Sequence, residues 1–391
     1  MQPALPIYLD HNATTPLDAR VLEAMLPYLT EHFGNAASRT HPYGWLAARA
    51  VERARQRIGV GIGAEPDELV FTSGATESCN AAIKGVAWSL AGRGRHLVTC
   101  ATEHRAVLDP HRRLEREGWE VTVLPVDGYG RVTPEAVEEA LRPDTVLVSI
   151  MLANNEIGTL QPVAPIAARC RAHGVLVHCD ATQAVGKVRV DIRELGVDLL
   201  SFSGHKLYGP KGVGVLVVRR RTPRLRLAPL LDGGGHEEGL RPGTLNVPGI
   251  VGLARALELS EELREVEARR QAALRDRLRE RILSELAGVV DNGHPTERLP
   301  NTLNLSFEGV DGGALLLGLG EIGVSSGSAC SSAQAAPSHV LLALGRSRRL
   351  ASASLRFSLG RGTSAADVDT AAASVVRVVS TLRSQSRWQP A

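Results

Sequence analysis

Lysine is nearly missing from this 391-residue chain: only Lys84, Lys187, Lys206 and Lys211 occur, against 41 arginines among 45 basic residues. Where charge alone is required, either side chain serves. The retained lysines are therefore enriched in tasks a guanidinium cannot perform, chiefly imine formation, because a guanidinium stays protonated. Cysteine is scarce as well. Cys79, Cys100, Cys170, Cys179 and Cys330 form no CxxC pair and are odd in number. That excludes a disulfide framework and a structural zinc site, and points to a reduced, cytoplasmic compartment. No stretch supplies the roughly 20 apolar residues of a membrane span; the longest charge-free run, 322–345, is full of Ser, Gln and Pro. Residues 1–12 have neither a basic nor an apolar segment that would mark them for secretion. The net charge of +3 is too small to make nucleic acid or lipid the main partner. With 43% hydrophobic and 22% charged residues, and neither repeats nor low-complexity tracts, the chain has an ordinary globular composition with a sizeable core.

Apolar β-type runs alternate with helical patterns through the first two thirds. Strands are expected at Glu68–Thr72, His96–Ala101, Val121–Val126, Thr145–Leu152, Val175–Cys179, Leu199–Phe202 and Val213–Val218. Helices are expected at Thr76–Ala91, Val107–Glu117, Pro134–Leu141 and Pro162–His173. This βαβ alternation implies an α/β fold with a mostly parallel sheet covered on both faces, ligands lying near the carboxyl ends of the strands. Val213–Val218 follows its predecessor too closely for a helical crossover, so an antiparallel neighbour is expected there. A long helix, Pro248 to Ala287, then connects to a smaller α+β part with strands Asn301–Phe307 and Ser354–Ser358 and a last helix Ala365–Ser384.

Several strand ends carry polar groups suited to one ligand. Ser203-Gly-His205-Lys206 follows a strand with glycines that permit close approach, donors for a phosphate and an amine for an aldehyde. Asp180 ends an apolar strand, where a protonated pyridine nitrogen would be a fitting partner for a carboxylate that is costly to bury alone. Gly74-Ala75-Thr76 opens a helix and offers free backbone N–H groups to an anion. His104 and the run Asn154-Asn155-Glu156 follow two further strands. His178 and Cys179 point to opposite faces of their strand, so no metal site is expected. Each motif alone fits a turn or a cap. Together they fit one phosphorylated aromatic aldehyde.

At this point the chain resembles the group I cysteine desulfurases of NifS/IscS type, within the class V aminotransferase-like pyridoxal-phosphate enzymes of fold-type I. The resemblance runs nearly end to end through Tyr8-Leu-Asp-His-Asn-Ala-Thr-Thr-Pro16, Phe33-Gly-Asn35, Gly74-Ala-Thr-Glu-Ser78, Thr102-Glu-His104, Asn154-Asn-Glu156, Asp180-Ala-Thr-Gln183, Ser203-Gly-His-Lys206, Gly233-Gly-Gly-His-Glu237, Arg241-Pro-Gly-Thr244, Ser325-Ser-Gly-Ser-Ala-Cys330 and Arg356-Phe-Ser. It implies a large domain, residues 15–258, built on a mixed seven-stranded sheet, and a small domain, residues 1–14 with 259–391. It implies pyridoxal 5'-phosphate as cofactor, bound to Lys206, with Asp180 on the pyridine nitrogen and His104 stacked on the ring as acid/base. Gln183 and Asn155 would bind the ring. Ala75, Thr76, Ser203 and His205 would hold the phosphate, with Thr244 supplied by the other subunit of a homodimer. Arg356, helped by Asn35 or Asn155, would hold the substrate carboxylate.

By the same resemblance, Cys330 is the catalytic nucleophile. It lies among serines and glycine, a loop composition, whereas the other cysteines fall in expected strands and helices. Its thiolate would take sulfur from L-cysteine as a persulfide, leaving alanine, and pass it to a sulfur-acceptor or iron–sulfur scaffold protein, with cluster docking at the Cys330 loop as a further expectation. A pyridoxal-phosphate aminotransferase or lyase is the alternative enzyme class, and a non-catalytic sulfur-transfer scaffold the alternative non-enzyme. Two departures stand out. Cys79 replaces a familiar acidic residue and reads as packing. The chain stops soon after Trp388, whereas IscS-type members have a longer C-terminal tail implicated in scaffold docking, which puts transfer of that partner contact in question.

Overall fold

A computed structural model describes residues 5–220, 225–326 and 337–386. Twelve strands occur among them: β1 (Ile7–Tyr8), β2 (Leu69–Thr72), β3 (His96–Cys100), β4 (Glu120–Leu124), β5 (Thr145–Ser149), β6 (Leu176–Asp180), β7 (Leu199–Ser203), β8 (Gly214–Val218), β9 (Val289–Asn292), β10 (Thr302–Phe307), β11 (Ile322–Gly323) and β12 (Ser354–Ser358). Seven of them form one sheet in the order β2-β8-β7-β6-β5-β3-β4. The neighbours from β7 to β4 are parallel, and β8 runs antiparallel to both β7 and β2. Parallel strands buried on both faces read as continuous apolar runs, and here β3, β5, β6 and β7 are buried at every position. Phe202, with no exposed surface, is the largest side chain of this core; burying such a group is worth about 1.5–3 kcal/mol.

A second apolar core lies on β10, which pairs antiparallel with β9 and β12. The helix Val247–Glu285 serves both cores. Leu253 and Leu257 on its first half join the core of the large sheet, and Leu278 and Ile282 near its end join the second. The second core also takes Leu9 from the beginning of the chain, because β1 pairs in parallel with β11 and Asp10 bridges to Ser358 on β12.

Three strands, two long helices and the short helices Ile192–Leu195 and Arg348–Ser352 fall outside the elements expected from sequence. β1 and β11 are two residues long, too short for any periodic signal, and β9 is only half-buried. The helix Ala19–Thr30 carries an internal proline, Pro27, while Pro42–Ile62 opens on His41, whose ring accepts from Gly44 N–H in place of a Ser, Thr, Asp or Asn cap. No helix among the described residues is long and apolar enough to cross a membrane.

Candidate active site

The carboxyl ends of β5, β6 and β7 open onto a cavity of about 580 Å³, with Lys206, Asp180, His104, Gln183 and Asn155 on its wall. Lys206 sits in a turn of 3-10 helix immediately after β7. Its amine donates to the carbonyls of Asn12 and Ala13 at 2.6 and 2.7 Å. Asp180 is the buried last residue of β6; one carboxylate oxygen accepts Thr182 N–H, and the other is left for the cavity. His104 caps the helix Arg105–Glu115, its Nδ1 accepting Ala106 N–H at 3.1 Å, so the proton of the neutral ring belongs on Nε2. Burial holds this imidazole below its ordinary pKa; Asp180 opposes that and Lys206 adds to it.

The anion end is built from backbone. The helix Ala75–Leu90 has no side-chain cap, so the first amides, at Ala75 and Thr76, face the cavity. Gly74 precedes it at φ 152°, a conformation side chains rarely adopt, and Ser203 Oγ lies 3.6 Å from where a Cβ would stand. Gly214 on β8 presses on this turn so closely that a Cβ there would meet the Cα of Gly74 at 2.6 Å. His205 borders the same end, its Nδ1 against Thr14 Oγ1 at 3.1 Å. Burial, then Lys206, Lys211 and Lys187, lower its pKa to about 4, so the ring is neutral near pH 7.

At the other end lies Arg356, on β12 and almost fully buried. Its guanidinium donates to Asn155 O at 3.0 Å and to the Asp10 carboxylate at 2.6 Å, while its Nε–H is buried without a partner. Arg356 lines the cavity, and its guanidinium fork suits an incoming carboxylate. The donor set as a whole fits pyridoxal 5'-phosphate: an amine for the aldehyde, a carboxylate for the ring nitrogen, an imidazole for the ring and helix amides for the phosphate.

Comparison with known proteins agrees. The "Aminotransferase class-V" family profile matches residues 7–370. A cysteine desulfurase IscS of Anaeromyxobacter dehalogenans is 54% identical over 94% of this chain and 91% of its own. This chain belongs to the cysteine desulfurases of the class-V aminotransferase family. Among solved structures, a NifS-like protein superposes with a TM-score of 0.89 at 39% identity, over 97% of this chain and all of its own. One described as SspA in complex with cysteine has a TM-score of 0.80 at 38% identity, over 90% of this chain and 98% of its own. The family is pyridoxal-phosphate dependent, and this desulfurase uses that cofactor.

Ten of the residues expected from sequence therefore line one cavity: Ala75, Thr76, His104, Asn155, Asp180, Gln183, Ser203, His205, Lys206 and Arg356. Two do not. Asn35 is exposed and accepts Ala37 N–H, and Thr244 is exposed on the segment before the long helix. Cys330 lies outside the described residues. Cys79 is fully buried on the helix Ala75–Leu90, and burial pushes its thiol pKa well up, as befits packing.

Sequence reasoning gave no role to the segment Asp10–Thr15, yet it threads the site. Beyond Asp10 on Arg356, the Asn12 carbonyl also accepts Gln183 Nε2 at 2.9 Å, and Asn12 Nδ2 reaches Asn155 O at 3.2 Å. The signal was the polar run Asp10–Thr15 itself, within the motif Tyr8–Pro16. Glu103 and Glu156 stood in quoted motifs but carried no role of their own. Both are buried, and burial raises their pKa values to about 8 and about 7. Glu103 Oε1 accepts Met151 N–H at 2.6 Å, and Glu156 accepts the Ser338 hydroxyl.

Proposed function

We propose that this desulfurase works on free L-cysteine, with Lys206, Asp180 and His104 serving the cofactor, Arg356 holding the substrate carboxylate and Cys330 receiving the sulfur. The observation that carries this reading is the single cavity joining an imine-forming lysine at one end to a guanidinium with an unpartnered Nε–H at the other. Bound pyridoxal 5'-phosphate supplies an aldehyde and an electron-withdrawing ring. Asp180 keeps the ring nitrogen protonated, Ala75, Thr76, Ser203 and His205 hold the phosphate, and Gln183 and Asn155 contact the ring. Arg356 and Asn155, which is in place where Asn35 is not, fix the carboxylate and so aim the substrate sulfur. His104, neutral with its proton on Nε2, moves protons beside the ring.

Among the described residues every cysteine is buried, and burial raises each thiol, Cys170 to about 12. None of the four is placed to be a thiolate nucleophile, which supports Cys330 in that role. Its thiolate attacks the substrate sulfur and keeps it as a persulfide; the carbon side ends as alanine. A sulfur-acceptor or iron–sulfur scaffold protein then takes the sulfur, with the Cys330 loop as the docking point for a cluster. Exposure of Thr244, away from its own cavity, supports a homodimer in which it reaches the partner's cofactor phosphate. The reading includes a cytoplasmic setting, in line with free cysteines, and the division into residues 15–258 and 1–14 with 259–391, in line with the two apolar cores.

Cys330→Ser tests the function directly. Incubated with cysteine, the variant is expected to change the cofactor's visible spectrum yet yield neither alanine nor protein persulfide. Alanine and persulfide at the wild-type rate would exclude the mechanism and favour an aminotransferase or lyase.

A further inference from the structure

Lys187, one of only four lysines, stands four residues beyond Gln183, and nothing above assigns it a task. The residue as a whole is half-buried, but its amine is enclosed. Nζ donates to Gln183 Oε1 at 2.6 Å and to Asn12 Oδ1 at 3.4 Å. An ammonium has three N–H groups and an amine two, so either form can serve both oxygens. On the other side of the Gln183 amide, Nε2 donates to Asn12 O at 2.9 Å. Turning the amide over would set acceptor against acceptor at Asn12 and, with Lys187 charged, donor against donor at its ammonium. With its oxygen and one N–H taken, Gln183 has a single N–H left, and it lines the cavity.

We propose that Lys187 is a positioning residue: it pins the amide oxygen of Gln183 so that the remaining Nε2–H is presented to an acceptor oxygen on the cofactor ring. The inference rests on the assignment of Gln183 to the ring made above. The charged and titratable groups facing Lys187 are Lys206 and Arg356, His11 and His205, and Tyr208, Arg264, Glu267 and Arg361 across a small cavity. In a chain that uses arginine almost throughout, the compact amine is retained where a single enclosed nitrogen must meet two oxygens, a contact the wider planar guanidinium does not reproduce.

The visible absorption of the cofactor-loaded protein, titrated with pH, tests this. A donor to the ring oxygen competes with the proton of the lysine-bound cofactor and lowers its pKa, so losing the donor raises it. Gln183→Met is expected to raise that pKa by about one pH unit. Lys187→Met is expected to do the same, and the double variant to go no further than either alone. Melting of the cofactor-free protein monitors folding; should Lys187→Met not fold, Lys187→Gln, which both donates and accepts and so no longer dictates the amide's orientation, is expected to shift the pKa in the same direction. An unmoved pKa in the Lys187 variants, with Gln183→Met shifted, would overturn the proposal. Additive shifts in the double variant would overturn it too, by assigning Lys187 a separate electrostatic effect on Lys206. An unmoved pKa in Gln183→Met would instead remove the ring assignment itself, and this inference with it.

Discussion

The two walls of the cavity differ in how the chain builds them. One is made of strand ends: Asp180 closing β6, Lys206 just past β7 and the helix opening at Ala75, all carried on a sheet whose strands are buried throughout. The other is assembled from the two ends of the chain, Asp10 meeting Arg356 across 346 positions of sequence. The first wall holds chemistry on a rigid scaffold. The second is held by side chains and main-chain carbonyls that stay in place only while both apolar cores are docked through the helix Val247–Glu285. Substitutions on the first wall should therefore remove chemistry, and those on the second should mainly weaken substrate binding.

The largest effect is expected at Lys206. Lys206→Ala removes the only amine on the β7 turn, and sulfide release should fall by on the order of 10³-fold or more with the fold intact. Activity near wild type would dissolve the distinction between the walls. Next comes Arg356→Lys, which keeps charge but loses the fork. A charge-assisted hydrogen bond is worth about 1.5–3 kcal/mol, so KM for cysteine should rise about 10–100-fold while kcat changes less. A pure kcat effect would mean that the second wall takes part in the chemistry.

The smallest effect concerns Glu103, buried behind the first wall. Burial raises its folded pKa from 4.5 to about 8. A raised pKa means that the protonated form is favoured in the folded state; the stability it contributes is complete below about pH 4.5 and is lost as pH rises toward about 8. Glu103→Gln should flatten that dependence, so that the fall in melting temperature from pH 5 to pH 8 is smaller by about 2–4 °C. An unchanged slope would place the titration elsewhere, with Glu156 the next group to substitute.

The same contrast explains what could be read before the fold was known. Asp180, Lys206 and Thr76 announce themselves because each follows an apolar run that a period-2 or continuous pattern identifies, and the topology of a parallel sheet brings such ends together. Asp10, Asn12 and Lys187 do not, because Asp10 meets a guanidinium hundreds of residues away, Asn12 acts through a main-chain carbonyl that every residue possesses, and Lys187 meets an amide whose orientation the other contacts share in setting. Strand β1 was invisible for a related reason: two residues paired with β11 have no period to detect. Asn35 and Thr244 were legible as motifs, yet neither lines the cavity of its own chain.

The ribosome meets this architecture in an awkward order. Asp10 is made 346 residues before Arg356, the guanidinium it holds. At about 5–20 residues per second that is a wait of roughly 20–70 s. During it Asp10 has no guanidinium to hold, although the large sheet is already complete by Val218 and offers Gln183 and Lys206 to Asn12. A nascent desulfurase thus carries an assembled cofactor-binding scaffold whose substrate wall still lacks Arg356, and it becomes competent only once that residue has been made and reaches Asp10.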